Sequence, residues 1–460
     1  MQIQRKALQT ALSQAKPFVG KGTATRCIML DGPNQLLIAT DFNAQIEIPL
    51  EIKDYTRKVT ITPEVEIPGE ALIAELNDLK VTQLKDLSEY AGTDEGKKAE
   101  MVDAIFQASK TSAEAEAKPS TEKMEEVLVM DHAQFSGIVN SLGGKPEEMV
   151  KLTVEKVTKL GELLETVVDT LSIGGVFQEI EVLDPTELTV MSDFEGATIG
   201  KAKSSELLRV AACYPASAGE GTQEFKLNMR FDRDRDQLMA VDGVRIHVQD
   251  VKLKGQGTMY AETRYIAKLA KLAKDTEIEI AVADDHNHLL FSFGKTRVWV
   301  AAEDAMAYPE IGKLIDEREG ECAVTIDSKT LKQLFEQAGV VAARREHKDI
   351  RINLTFNGSL NVQAVSHMAR YENLEVPYET GKVDGSHSLE FNPNYLSAAL
   401  KGIGKKAVIG IMADESNPIR FSDEKQGFTA LVMPMRDQSK KPEPEPEEVN
   451  EDQSTEAEAA

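Results

Sequence analysis

Two stretches of the 460-residue chain carry residue types that could do metal chemistry. Asp284, Asp285, His286 and His288 stand close together, a donor set that a divalent cation could bind and a hydrolase could use. Their setting argues for a turn. DDHNH lies between IEIAVA and LLFSFG, two alternating runs, and Asp and Asn suit hairpin turns because their side chains bond their own backbone. FDRDRDQL (231–238) imitates a calcium loop for three ligand positions and then fails, with Gln237 sixth and Gly243 twelfth, where glycine and glutamate are needed. No Walker loop, Gly-x-Ser-x-Gly elbow or His-Glu-x-x-His helix is present. Cys27, Cys213 and Cys322 are far apart and form no Cys-x-x-Cys pair, so neither a zinc module nor a disulfide framework is expected, and a reducing compartment fits. The chain reads as a non-enzyme without a metal or cofactor.

The second chemistry is cationic. In TRYIAKLAKLAK (263–274), Arg264, Lys268 and Lys271 fall on one helical face, with Lys274 at its edge. Ile266, Leu269, Ala270 and Ala273 fall on the opposite, apolar face. Arg5, Lys6, Arg209, Lys329, Lys332, Lys401 and Lys405 mark other helices of the same kind, and Lys21 follows the first of them. Charged helix faces are usually only solvated. They become a candidate phosphate-facing set if one architecture aims them all at one place.

The elements that would aim them form an internal repeat. A short extended segment, a polar cluster and an amphipathic helix begin at residues 1, 126, 197, 257, 322 and 387, and the last four intervals are 71, 60, 65 and 65 residues. Alternating strands with hairpin signals follow, as in LLFSFGKTRVWVAAE (289–303) and IRINLTFNGSLNVQAVS (350–366). Six such units pair into three similar α+β domains, each with two helices against antiparallel sheet. The predicted domains are 1–196, 197–318 and 319–436. The first contains an insertion over 63–125 and an acidic Ala/Glu/Ser linker over 111–127, and 437–460 is predicted to be a disordered acidic tail. No apolar window approaches a membrane span and the N-terminus has no signal-peptide core, so a cytoplasmic protein is expected.

A net charge of −24 at first excludes nucleic acid. Its distribution weakens that exclusion. The tail carries −7 and the linker −3, leaving −14 that an outer surface can hold while inner helices keep Lys and Arg.

Four segments, in order on this repeat, resemble the bacterial-type DNA sliding clamp, the beta subunit of DNA polymerase III. LVMPMR (431–436) is similar to the family's near-terminal strand and AVDGVRIHV (240–248) to its Ala-Thr-Asp-Gly-His-Arg-Leu segment. FNPNYL (391–396) looks like the start of its last helix, and AYPEIGKLI (307–315) like the junction between its second and third domains. The resemblance implies a ring of two three-domain chains around duplex DNA, sheets outside and helices inside. The ring would tether a replicative polymerase and be loaded by a clamp-loader ATPase. It implies a cleft for partner peptides. Val241, Gly243, Arg245 and Ile246 match one wall, and Pro309, Lys313 and Leu314 the rim. Asn392, Tyr395, Leu431, Val432, Met433, Pro434 and Met435 match the other side, with Arg245 and Asn392 as polar anchors. Val244 stands where the family has His, and the tail follows where family members stop. Such divergence suits a phage-encoded clamp.

Within the insertion, residues 78–107 resemble a SAP or Rho-N-terminal helix–loop–helix module, with Lys80, Lys85, Lys97 and Lys98 as nucleic-acid candidates. Two rival functions follow from the sequence: a non-ring scaffold that tethers DNA through this insertion, and a metal hydrolase using His286 and His288.

Overall fold

In the computed structural model, the described residues run from 1 to 435, except 23–24, 62–119, 126, 143–144, 161–164, 174–175, 182, 184–187, 189, 192–193, 217, 220, 317–320, 344–349, 367–368, 374, 384, 413 and 415. The chain forms two compact units, Met1–Asp41 with Glu47–Val190, and Phe42–Ile46 with Met191–Ala460. All six predicted repeat helices are present, and the sheets are antiparallel throughout the described residues. We number these helices α1 (Arg5–Ala15), α2 (His132–Ser141), α3 (Ser204–Ala211), α4 (Thr263–Ala273), α5 (Ser328–Ala342) and α6 (Pro393–Leu400).

The first unit holds α1 and α2 side by side. Each is entered from a strand, Gln2–Gln4 and Val127–Asp131. Leu8, Ala11 and Leu12 of α1 and Phe135 and Val139 of α2 are buried, the stripe expected of helices laid on a sheet. His132 Nε2 meets the Leu12 carbonyl at 3.0 Å, joining the two helices, and the Asp131 carboxylate caps α2 by accepting from the Gln134 amide. Strands Met149–Leu160, Glu165–Ile173 and Val176–Glu181 form a meander beside Gln2–Gln4.

The acidic stretch 111–127 is not linker throughout. Ser120–Glu125 is a strand paired with Thr56–Ile61, and residue 127 begins the strand that leads into α2. Backbone pairing carries no compositional signature, so charged residues there read as linker. The helix–loop–helix segment 78–107, with Lys80, Lys85, Lys97 and Lys98, lies outside the described residues, as does the tail 437–460.

The second unit contains the other four repeats. One sheet runs Gly196–Lys203, Glu277–Ala283, His288–Phe293 and Thr296–Glu303. Asn228–Asp232, Gln237–Val241 and Arg245–Asp250 form a second meander, which pairs through Arg245–Asp250 with Phe428–Val432. That pairing joins the third and sixth repeats into one continuous ladder. On α4, Ile266, Leu269, Ala270 and Ala273 are buried as their spacing predicts. On α5 and α6 the buried set includes Leu331, Phe335, Ala338, Leu396 and Ala399, and Asp327 and Asn392 cap the two N-termini. DDHNH is a hairpin turn, with His286 in the left-handed region (φ 57°) and the Asp285 carboxylate accepting from the Asn287 amide at 2.9 Å. FDRDRDQL is another turn, closed by Asp232 Oδ1 accepting from the amides of Asp234 and Arg235. No helix among the described residues is long and apolar enough to cross a membrane.

Candidate partner cleft and basic helix faces

The register Arg245↔Val432 and Ile246↔Leu431 brings together two segments nearly 190 residues apart in sequence. Beyond the last paired residues, the Met433 amide donates to the Val244 carbonyl at 2.8 Å, so LVMP continues alongside the 242–245 turn. That turn is fixed by Asp242 Oδ1, which accepts from the amides of Val244 (3.0 Å) and Arg245 (2.7 Å). Gly243 occupies φ 93°, a conformation a side chain would strain. Against this ladder Met239, Val241, Val248, Ile311, Ile315 and Leu431 form one apolar cluster, flanked by Phe225, Ile246 and Tyr308. Two large apolar side chains stay in water beside it: Val244 is 37% exposed and Leu314 43%. Next to them a cavity of about 60 Å³ is walled by Leu314, Met412, Pro418 and Leu431, with Glu321, Asn417 and Arg420. Pro309, Met433, Pro434 and Met435 are half-buried and Lys313 is exposed.

Three expectations for this site are corrected. Arg245 is not a free anchor: its side chain is 6% exposed, its Nε donates to Asp242 Oδ2 at 2.7 Å, and its Nη atoms donate to the carbonyls of Ala212 and Cys213, both at 3.3 Å. It also stands over the Tyr395 ring, 4.5 Å from the centroid. Asn392 is not a wholly free anchor either: its Oδ1 accepts from the Asn394 amide as the cap of α6. Val432 is fully buried in the core beneath α5 and α6 and presents nothing to the cleft. What the candidate cleft offers is apolar surface, backbone and, at its rim, exposed Lys313. Sequence could not show that Arg245 was already engaged within the protein.

Next to Arg245, His247 is fully buried, and its Nδ1 donates to the Arg209 carbonyl at 2.8 Å. Its Nε2 has no hydrogen-bonding partner among the described residues, so the ring is neutral. Burial first, and the nearby Arg245 and Lys401 charges after it, push its pKa down to about 4, against the smaller upward pull of the Arg209 carbonyl. The unfolded chain, with an ordinary imidazole near 6.5, therefore binds the proton more readily between these values. Stability from this group is complete above about pH 6.5, is lost as pH falls toward 4, and changes no further below, in total by about 3 kcal/mol. Urea midpoints between pH 7 and 4.5 should fall more in the wild type than in His247→Gln. Equal falls would contradict this.

The basic residues divide by environment. Lys6, Lys21, Lys271, Lys274, Lys329, Lys401 and Lys405 are exposed, and Arg5 and Lys332 are half-buried. Arg209, Arg264 and Lys268, also expected to face phosphate, have partners within the protein. Arg209 donates to Gln249 (3.2 Å) and Gln426 (2.7 Å), tying α3 to the sheet and to the turn before the last strand. Arg264 pairs with Glu262 at 2.5 Å and, with Lys268, stands over the Tyr265 ring. Arg264 also lines a cavity of about 510 Å³ with Tyr214, Tyr260, Glu224, Glu262 and Glu303, which sequence reasoning missed. Three carboxylates against one guanidinium make its wall acidic, so it is no phosphate site. Among the described residues no group of three or more His, Cys, Asp or Glu is placed to hold a metal ion.

No family model matches the chain, and no curated protein matches it in sequence. Solved structures do match in fold. The DNA polymerase sliding clamp of Bacillus subtilis is 14% identical, with 95% of this chain and 98% of that one covered at a TM-score of 0.65. The DNA polymerase III subunit beta of Pseudomonas aeruginosa is 16% identical, with coverage of 95% and 99% and a TM-score of 0.62. A sliding clamp from the same organism, described as bound to griselimycin, is 17% identical, with coverage of 95% and 99% and a TM-score of 0.64. The chain has the fold of the DNA polymerase III beta sliding clamp.

Proposed function

We propose that this chain is a DNA polymerase processivity factor, a ring that encircles duplex DNA and carries its polymerase along it. The observation that carries the reading is a fold shared over 95% of this chain and 98–99% of the clamps it matches. Two chains, each of three similar domains with bounds at 1–196, 197–318 and 319–436, would close head to tail. Unpaired strand edges support such closure. Among the described residues Val176–Glu181 pairs only with Glu165–Ile173, and Arg370–Glu372 only with residues 363–365. An open edge invites another chain, and Val340 of α5, 61% exposed, supplies unpartnered apolar surface in the same repeat as the second edge.

The helices would face the duplex. Exposed Lys6, Lys21, Lys271, Lys274, Lys329, Lys401 and Lys405 would meet phosphates as mobile charges, without base readout. Weak, sequence-independent contact suits sliding. Polymerase and a clamp-loader ATPase would take turns at the apolar cleft, where Val244 in place of the family's His makes the wall less polar. Griselimycin, the ligand of one matching clamp, is the probe we expect to bind there. No step of this function needs a catalytic group on the chain. Solution mass tests the assembly directly: at micromolar concentration the purified protein should have twice the 50.6 kDa of the chain. A monomer at that concentration would contradict a two-chain ring.

A further inference from the structure

The segment that carries Pro309, Lys313 and Leu314 ends in a single turn of helix, Gly312–Asp316. So short a helix leaves its last carbonyls without partners of its own. Two arginines from distant parts of the chain hold it. Arg235 donates twice to the Asp316 carboxylate, at 2.9 and 2.7 Å. Arg420, on strand Ile419–Asp423, reaches the turn from the other side. Its Nη1 donates to the Ile315 carbonyl at 2.9 Å, its Nη2 lies 3.4 Å from the Leu314 carbonyl, and its Nε donates to Glu321 Oε1 at 3.1 Å.

This contact is built into the sheet. The side chains of Arg420 and Glu321 are 6% and 9% exposed. Gly410 is the cross-strand partner of Arg420, and a Cβ there would collide with the Glu321 carboxylate. The pair therefore depends on glycine at a third, remote position. A buried guanidinium cannot leave its carboxylate without stranding a charge, and its planar fork holds three acceptors in one geometry, which a lysine ammonium does not reproduce. Leu314, whose carbonyl is held, keeps its side chain in water at the mouth of the 60 Å³ cavity shared with Leu431.

We infer that Arg420 is a positioning residue for the partner cleft: it fixes the Leu314–Ile315 backbone and so sets where the Leu314 side chain stands against Leu431, while Glu321 holds Arg420. The inference rests on the cleft reading above.

The test uses the full chain and two variants. Arg420→Met with Glu321→Met removes both charges and strands neither, and Arg420→Lys keeps the charge but not the fork. Hydrogen exchange over 312–316 and griselimycin binding by calorimetry are read on each, with exchange over α4 as the control for folding. In the double variant we expect exchange over 312–316 to rise, α4 to stay unchanged, and griselimycin to bind about tenfold more weakly. Arg420→Lys should fall between it and the wild type. Unchanged exchange over 312–316, or unchanged affinity in both variants while the wild type binds, would overturn the positioning role alone. Failure of the wild type to bind griselimycin would overturn the cleft reading, and this inference with it.

Discussion

Leu314→Ala combined with Met433→Ala is expected to abolish most of the stimulation this protein gives a replicative polymerase, while leaving its solution mass unchanged. On the proposed cleft reading the two side chains come from its opposite sides, one from the junction segment and one from the strand end that runs beside Val244. Leu314 is 43% exposed and Met433 half-buried, so truncating them removes docking surface more than core. Hot-spot side chains at the centre of an interface account for about 2 kcal/mol or more each, so losing two should weaken polymerase binding by about 4 kcal/mol, roughly a thousandfold. Leu431 is a poorer target although it lines the same cavity: it is 2% exposed, and Leu→Ala in a core costs about 2–5 kcal/mol of stability, which would confuse the readout. Met side chains adapt to several ligands, so the same variant should also reduce loading by the ATPase. The check is primer extension with and without the protein. Full stimulation by the variant would show that polymerase docks elsewhere.

On the proposed cleft reading, the two polar groups of its walls are already engaged, and this has a consequence for selectivity. Arg245 is committed to Asp242, two carbonyls and the Tyr395 ring, and Asn392 to a helix cap. A partner peptide therefore gains little from acidic residues at these positions. On that reading, discrimination would rest on the fit of apolar side chains and on exposed Lys313 at the rim, and the apolar part separates ligands by about a few kcal/mol at most.

The parts of this fold visible in sequence were those set by neighbours along the chain. The buried stripe Ile266, Leu269, Ala270 and Ala273 follows from helical period. The turn at DDHNH follows from side chains that bond their own backbone. What stayed hidden depends on partners far away in sequence. Arg209 looked like a solvated helix cation until the fold brought Gln426 to it, 217 positions on. Arg420 and Glu321 are 99 positions apart, and the glycine they require, Gly410, lies on the strand paired with that of Arg420. The strand Ser120–Glu125 was hidden for another reason, since its backbone pairing with Thr56–Ile61 leaves no trace in composition. Charge shows the same limit: −24 counts residues but does not place them, and the exposed lysines on and beside the repeat helices are a small part of that sum.

Topology offers the most direct test of a ring, because a ring is held on DNA by closure and an ordinary binder by contacts. The protein is loaded onto a nicked circular duplex with its loader and ATP, separated from free protein at moderate salt, and the circle is then cut once. A ring stays with the circle and slides off the cut ends, so most of the bound protein should be lost on linearisation and kept on the uncut control. Equal retention on circle and linear DNA would contradict encirclement and leave a protein that only binds the duplex surface.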